Sequence, residues 1–150
     1  MNQDNSISED LYKVDFEISK SYIDFSSELL RISLTAMGAI GSLLLLTLEK
    51  ETILEINYPT ILAAMTFFAL SSGASLFHRF FASDFLSWYI SYLREVNKGN
   101  IQRAEKEKIG YSKSLRNSRW ALIINEFLFG FGVLFFIVAV FFSIYPTLWE

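Results

Sequence analysis

Three stretches of this chain carry no Asp, Glu, Lys, Arg or His: Ile32–Leu48, Ile56–Phe77 and Phe127–Trp149, of 17, 22 and 23 residues. A helix needs about 20 mostly apolar residues to cross the hydrocarbon core of a bilayer. Within lipid its backbone polar groups have to be satisfied internally, which a helix does by itself. The three runs therefore predict an all-α membrane protein with spans at 32–48, 57–77 and 121–145. Composition agrees: 52% of residues are hydrophobic and 19% charged, against about 25% charged in ordinary soluble domains.

Charge sets the expected topology. Residues 1–31 hold Lys13, Lys20 and Arg31 beside seven acids, and 49–55 holds Lys50 and three acids. Nine of the thirteen basic residues fall in 78–119, and none follows Arg119. Lys/Arg-rich short loops stay cytoplasmic. The N-terminus and 78–119 are thus expected inside, 49–55 and the C-terminus outside, in the cell's inner (plasma) membrane. Tyr58, Tyr145 and Trp149 would anchor the outer border and Trp120 the inner one. The N-terminus lacks a basic region ahead of an early apolar run, so no cleaved signal peptide is expected.

The helices are expected to continue past the membrane. Ser6 and Glu9 have the spacing of a capping box. From there Ile7, Leu11, Val14, Ile18, Tyr22, Phe25, Leu29 and Ile32 recur with a mean spacing of about 3.6, which is helical. Pro59 suits the first turn of a second helix, and Asn97-Lys98-Gly99-Asn100 reads as a turn. Pro146 marks the end of a third helix, and Gly110 is a candidate bend within it. The reading is one domain of three long helices, about 7–48, 59–97 and 101–145. Each is part transmembrane and part cytoplasmic, in an antiparallel bundle, with a cytoplasmic arm at 7–31 and a cytoplasmic hairpin at 78–119. In 79–97 the polar stripe Arg79, Ser83, Ser87, Ser91, Glu95 is narrow. Its wide apolar remainder calls for lipid or neighbouring protomers.

Several classes of chemistry are excluded. Cysteine is absent and His78 is the lone histidine, which removes thiolate sites and all-histidine metal sites. His78 and Asp84 lie six residues apart and point about 120° away from each other on a helix. No phosphate loop or dinucleotide fingerprint is present. Neither a catalytic residue, a cofactor nor a metal is expected. Lys106 and Lys108 alternate with Glu105 and Glu107, as on a solvated helix face, so nucleic acid is not an expected partner.

Glu126, with Asn125 beside it, is the candidate intramembrane polar site. It lies six residues past Trp120, about 9 Å inside the border, where ionisable groups usually face a bundle interior or a wet cavity. One reading makes it a pore-lining or proton-titrating carboxylate. The other pairs it with Arg119, Arg79 or Arg31. Gly38, Gly41, Ser72, Gly73 and Ser75 form small-residue patches suited to close helix approach, within the chain or between protomers. Lys113, Arg116, Arg119 and Arg79 serve topology or bind anionic headgroups. Leu11, Val14, Ile18, Tyr22 and Phe25 form a seam for a partner helix or a second copy.

From Asp10 to Asn97 an amphipathic arm leads into a span, a short acidic turn and a second span with a small-residue centre. Ser75-Leu76-Phe77-His78-Arg79-Phe80-Phe81 follows, then Trp88-Tyr89 and Tyr92-Leu93. This run resembles the two-span SLATT-type membrane modules of bacterial conflict systems, and the third span lies beyond the resemblance. The resemblance implies an oligomeric, pore-forming or membrane-disrupting effector, released by a cytoplasmic sensor on another chain, as in antiviral defence. The expected partners are lipid, further copies of the chain and such a sensor. The alternatives are a non-conducting subunit or scaffold, and a small proton-coupled transporter using Glu126.

Overall fold

The computed structural model describes residues 9–49 and 58–144, with side chains at 12–45 and 58–142. It holds three helices, α1 (Glu9–Glu49), α2 (Tyr58–Asn97) and α3 (Ile101–Ile144), and no strand among the described residues. Each is 40 residues or longer, roughly 60 Å at 1.5 Å per residue. That is about twice the hydrocarbon core. The boundaries fall within a residue or two of those expected. The expected Ser6 cap, the connection 50–57, and Tyr145, Pro146 and Trp149 lie outside the described residues.

The turn between α2 and α3 follows from its sequence. Asn100 N–H donates to Glu95 O at 3.0 Å, and Gly99 N–H to Val96 O at 3.0 Å. This is the Schellman pairing that closes a helix C-terminus. It needs a left-handed residue at Gly99, whose φ is +72°, where a side chain would be strained. Asn100 then caps α3, its Oδ1 accepting from Arg103 N–H at 3.4 Å. Two residues thus end one helix and start the next.

Each helix buries a stripe with the seven-residue repeat of a packing seam. On α1 the inward positions are Tyr12, Phe16, Ser19, Ile23, Ser26, Leu30, Ser33, Met37, Ile40 and Leu44, at alternating spacings of 4 and 3. On α2 Ile61, Ala64, Phe68, Ser71, Ser75, His78 and Ala82 are all buried, at spacings of 3 and 4. On α3 the seam includes Ala104, Ser114, Ser118, Asn125 and Ala139. Small and hydroxylated residues make up most of the α2 and α3 positions, whereas α1 sets Ser19, Ser26 and Ser33 among larger apolar residues; large apolar residues also crowd the outer faces.

The chain divides into two compact units. One comprises residues 1–27 and 76–122. Its centre is an aromatic cluster around Tyr89, which contacts Tyr12, Phe16, Phe85, Tyr92 and Tyr111 at centroid distances of 5.7–6.5 Å. Helix 79–97 is thus packed in a bundle rather than laid out alone. Gly110 is explained here. A Cβ on it would lie 2.7 Å from the Trp88 ring, so the glycine makes a seat for the indole while α3 runs on unbroken.

The other unit comprises 28–75 and 123–150. Its core is Ile40, Ile61, Phe68 and Ala139, with Met37, Leu44, Met65 and Phe129 packed against it. Phe67 stacks on Phe135 at 5.3 Å. Gly132 lies under Phe68, whose ring is 3.0 Å from where a Cβ would stand.

Candidate functional site

Polar groups inside the second unit form one connected cluster. Ser71 Oγ donates to Asn125 Oδ1 at 2.6 Å, and Asn125 Nδ2 donates to Ser75 Oγ at 2.8 Å. Ser33 Oγ lies 3.3 Å from Ser71 Oγ. A hydroxyl has one proton and Ser71 gives its own to Asn125, so Ser33 donates to Ser71. Ser33, Ser71, Ser75 and Asn125 are all fully buried. Ser72 Oγ returns to Phe68 O on its own helix at 3.0 Å, the local bond open to a helical serine. The cluster joins all three helices through side chains of a single amide and three hydroxyls.

Glu126 follows Asn125 in sequence and faces the other way. Successive helical residues differ by about 100° in direction. Burying the amide therefore turns the carboxylate to the exposed surface of α3. There it borders a shallow, mostly apolar groove with Phe127, Gly130, Phe131 and Leu134. Among the described residues it makes no hydrogen bond or ion pair. Asn125 and Glu126 thus do not share one site within the protomer, and the expected pairing of Glu126 with Arg119, Arg79 or Arg31 does not occur among the described residues. Arg31 pairs instead with Glu28 at 3.6 Å, and Arg79 and Arg119 are exposed.

The small-residue patches also separate. Ser72 and Ser75 are buried in the seam. A Cβ added to Gly38, Gly41 or Gly73 would meet nothing within 4 Å, so these glycines mediate no close approach within the chain. Lys113 and Arg116 are exposed on α3. Of the arm seam, Val14, Ile18, Tyr22 and Phe25 are 46–65% exposed, and the Leu11 side chain lies outside the described residues.

Three buried polar residues were not singled out from the sequence as a group. Ser71, Ser75 and His78 recur at 4 and 3 on α2, which marks one face. His78 is buried, and its Nδ1 has no hydrogen-bond partner among the described residues. Asp84, which is six residues from His78 and does not pair with it, accepts a hydrogen bond from Ser114. No cluster of three metal-binding side chains occurs among the described residues.

All three helices are long and apolar enough to cross a membrane. This is a helical membrane protein. Comparison with known proteins adds no relative: no family model, curated protein or solved structure matches the chain.

Proposed function

We propose that this protein self-associates in the bacterial inner membrane and acts as a pore-forming or membrane-perturbing effector, triggered from the cytoplasm and serving defence against phage. Glu126 carries the reading. Its neighbour Asn125 satisfies the interior of the protomer, and the carboxylate stands on the outer face at membrane depth with no partner among the described residues. An acidic side chain at the centre of a span costs about 2.5–3.5 kcal/mol on insertion scales, less near the border. Lipid does not offset that cost, whereas water or polar groups held between protomers do. Gly130 beside Glu126, and Gly38, Gly41 and Gly73 elsewhere, leave open surface for the close approach of another helix. The basic 78–119 segment supports a cytoplasmic N-terminus and an outer C-terminus. The resemblance to SLATT-type modules supports the defence role.

The test is reconstitution of the purified chain in liposomes with an ion-flux readout, beside mass measurement in nanodiscs. The reading requires a multimeric mass and a flux whose ion selectivity changes in Glu126→Gln while the mass does not. A single-protomer mass, or a flux indifferent to Glu126→Gln, overturns it.

A further inference from the structure

We propose that neighbouring copies dock through their cytoplasmic arms, the outer face of α1 in one copy against the outer face of α3 in the next. The proposal rests on the self-association argued above and specifies its contact.

Two exposed stripes outside the spans have no partner among the described residues. On α1, Val14, Ile18, Tyr22 and Phe25 are exposed at helical spacing, flanked by exposed Glu17 and Asp24. On α3, Lys106, Ile109, Lys113, Arg116 and Trp120 recur at 3, 4, 3 and 4. Ile109 is 71% and Trp120 61% exposed, and the stripe's three basic residues are exposed as well. The α1 stripe carries Glu17 and Asp24 along one edge, with exposed Lys13 and Lys20 just beyond them, and the α3 stripe carries basic charges alone. They differ, so each complements the other better than itself, which makes the contact heterologous.

The membrane sets the register. The spans begin at Ile32 on α1 and Ala121 on α3, and both helices run from cytoplasm into membrane. Two copies at equal depth therefore place residue n of α1 level with residue n + 89 of α3. Glu17 then stands level with Lys106, and Asp24 level with Lys113. The two acids are seven residues apart and so are the two lysines, two helical turns on one face in each case. Within the chain none of these four charges is ion-paired, among the described residues. A second copy supplies opposite charge at both levels at once, and burial of the apolar residues between them excludes water from the contact.

The chain has no cysteine, so single-cysteine variants report contacts without background. Glu17→Cys and Lys106→Cys are placed on differently tagged copies, as are Asp24→Cys and Lys113→Cys, and membranes of cells expressing both are oxidised. Both in-register pairs should give a mixed dimer at least about fivefold above the out-of-register pair Asp24→Cys with Lys106→Cys. With cysteines at Ser21 and Ile109, within one residue of level, as reporters, Glu17→Lys with Asp24→Lys should lower cross-linking severalfold. Adding Lys106→Glu and Lys113→Glu to the other copy should restore it, since an exposed ion pair changes an equilibrium by roughly 1.4- to 5-fold. A multimer in nanodiscs with equal cross-linking in and out of register overturns the contact and leaves self-association standing. A monomer in nanodiscs overturns both. Lysine reversal that weakens binding to anionic vesicles while cross-linking is unchanged assigns the basic stripe to lipid and also overturns the contact.

Discussion

The Ser71 hydroxyl reaches Asn125 Oδ1 at 2.6 Å, tying α2 to α3 at a point where neither residue is exposed. Ser33 on α1 and Ser75 on α2 complete the connection. Membrane helices gain little from burying apolar side chains against each other, since lipid is equally apolar. Close packing and interhelical hydrogen bonds take that place, averaging about 0.6 kcal/mol and reaching about 1.7 kcal/mol per bond. Asn125→Leu should therefore lower protomer stability by about 1–3 kcal/mol, read by unfolding in detergent. Ser71→Ala and Ser75→Ala should each cost less than Asn125→Leu. A fully stable Asn125→Leu protein would show that packing alone holds the spans.

Glu126 stands on the opposite side of the same turn of α3. Because its side chain is exposed and unpaired among the described residues, Glu126→Gln and Glu126→Leu should change protomer stability by no more than about 0.5 kcal/mol. Toxicity on induced expression, read with a membrane-potential dye, should change in both. Loss of folding in Glu126→Leu would place the carboxylate in the protomer core instead.

The glycines divide by what a methyl group would meet. Gly110→Ala puts a Cβ 2.7 Å from Trp88, so the indole has to leave its seat, at a cost on the order of 1–2 kcal/mol. Gly38→Ala and Gly41→Ala meet nothing within 4 Å in the chain and should leave thermal unfolding of the protomer unchanged. If those two glycines serve contacts between copies, Gly38→Leu should reduce the multimer fraction in native mass measurement without unfolding the chain.

Tyr89 donates to Asp15 Oδ2 at 2.9 Å. Burial, then the bond to Asp15 and its charge, push the phenol from 10.0 up to about 12. The folded chain thus holds this proton more tightly than the unfolded chain. Its contribution to stability is whole below pH 10 and declines between pH 10 and about 12, because unfolding then releases the proton. Asp15→Asn should lower the Tyr89 midpoint in a tyrosinate absorbance titration. An unchanged midpoint would mean that burial alone sets it.

By itself the sequence determined the three spans, the helix lengths and the α2–α3 turn. Charge-free runs of spanning length admit no other secondary structure in lipid, and Gly99-Asn100 carries both a helix stop and a helix start. It also marked Val14, Ile18, Tyr22 and Phe25 as a seam, and these residues are exposed in the structure. It did not show which face of each helix turns inward. In a soluble bundle the hydrophobic stripe would answer that. Here apolar residues surround most of each helix, so periodicity of hydrophobicity loses its meaning. Only the tertiary structure decided that Ser33, Ser71, Ser75 and Asn125 face inward, and in doing so it turned Glu126 outward. The physical reason is that lipid solvates leucine and phenylalanine but offers no hydrogen bond to serine or asparagine. The interior of the bundle is therefore chosen by small size and polar satisfaction, at spacings that a hydrophobicity scan passes over.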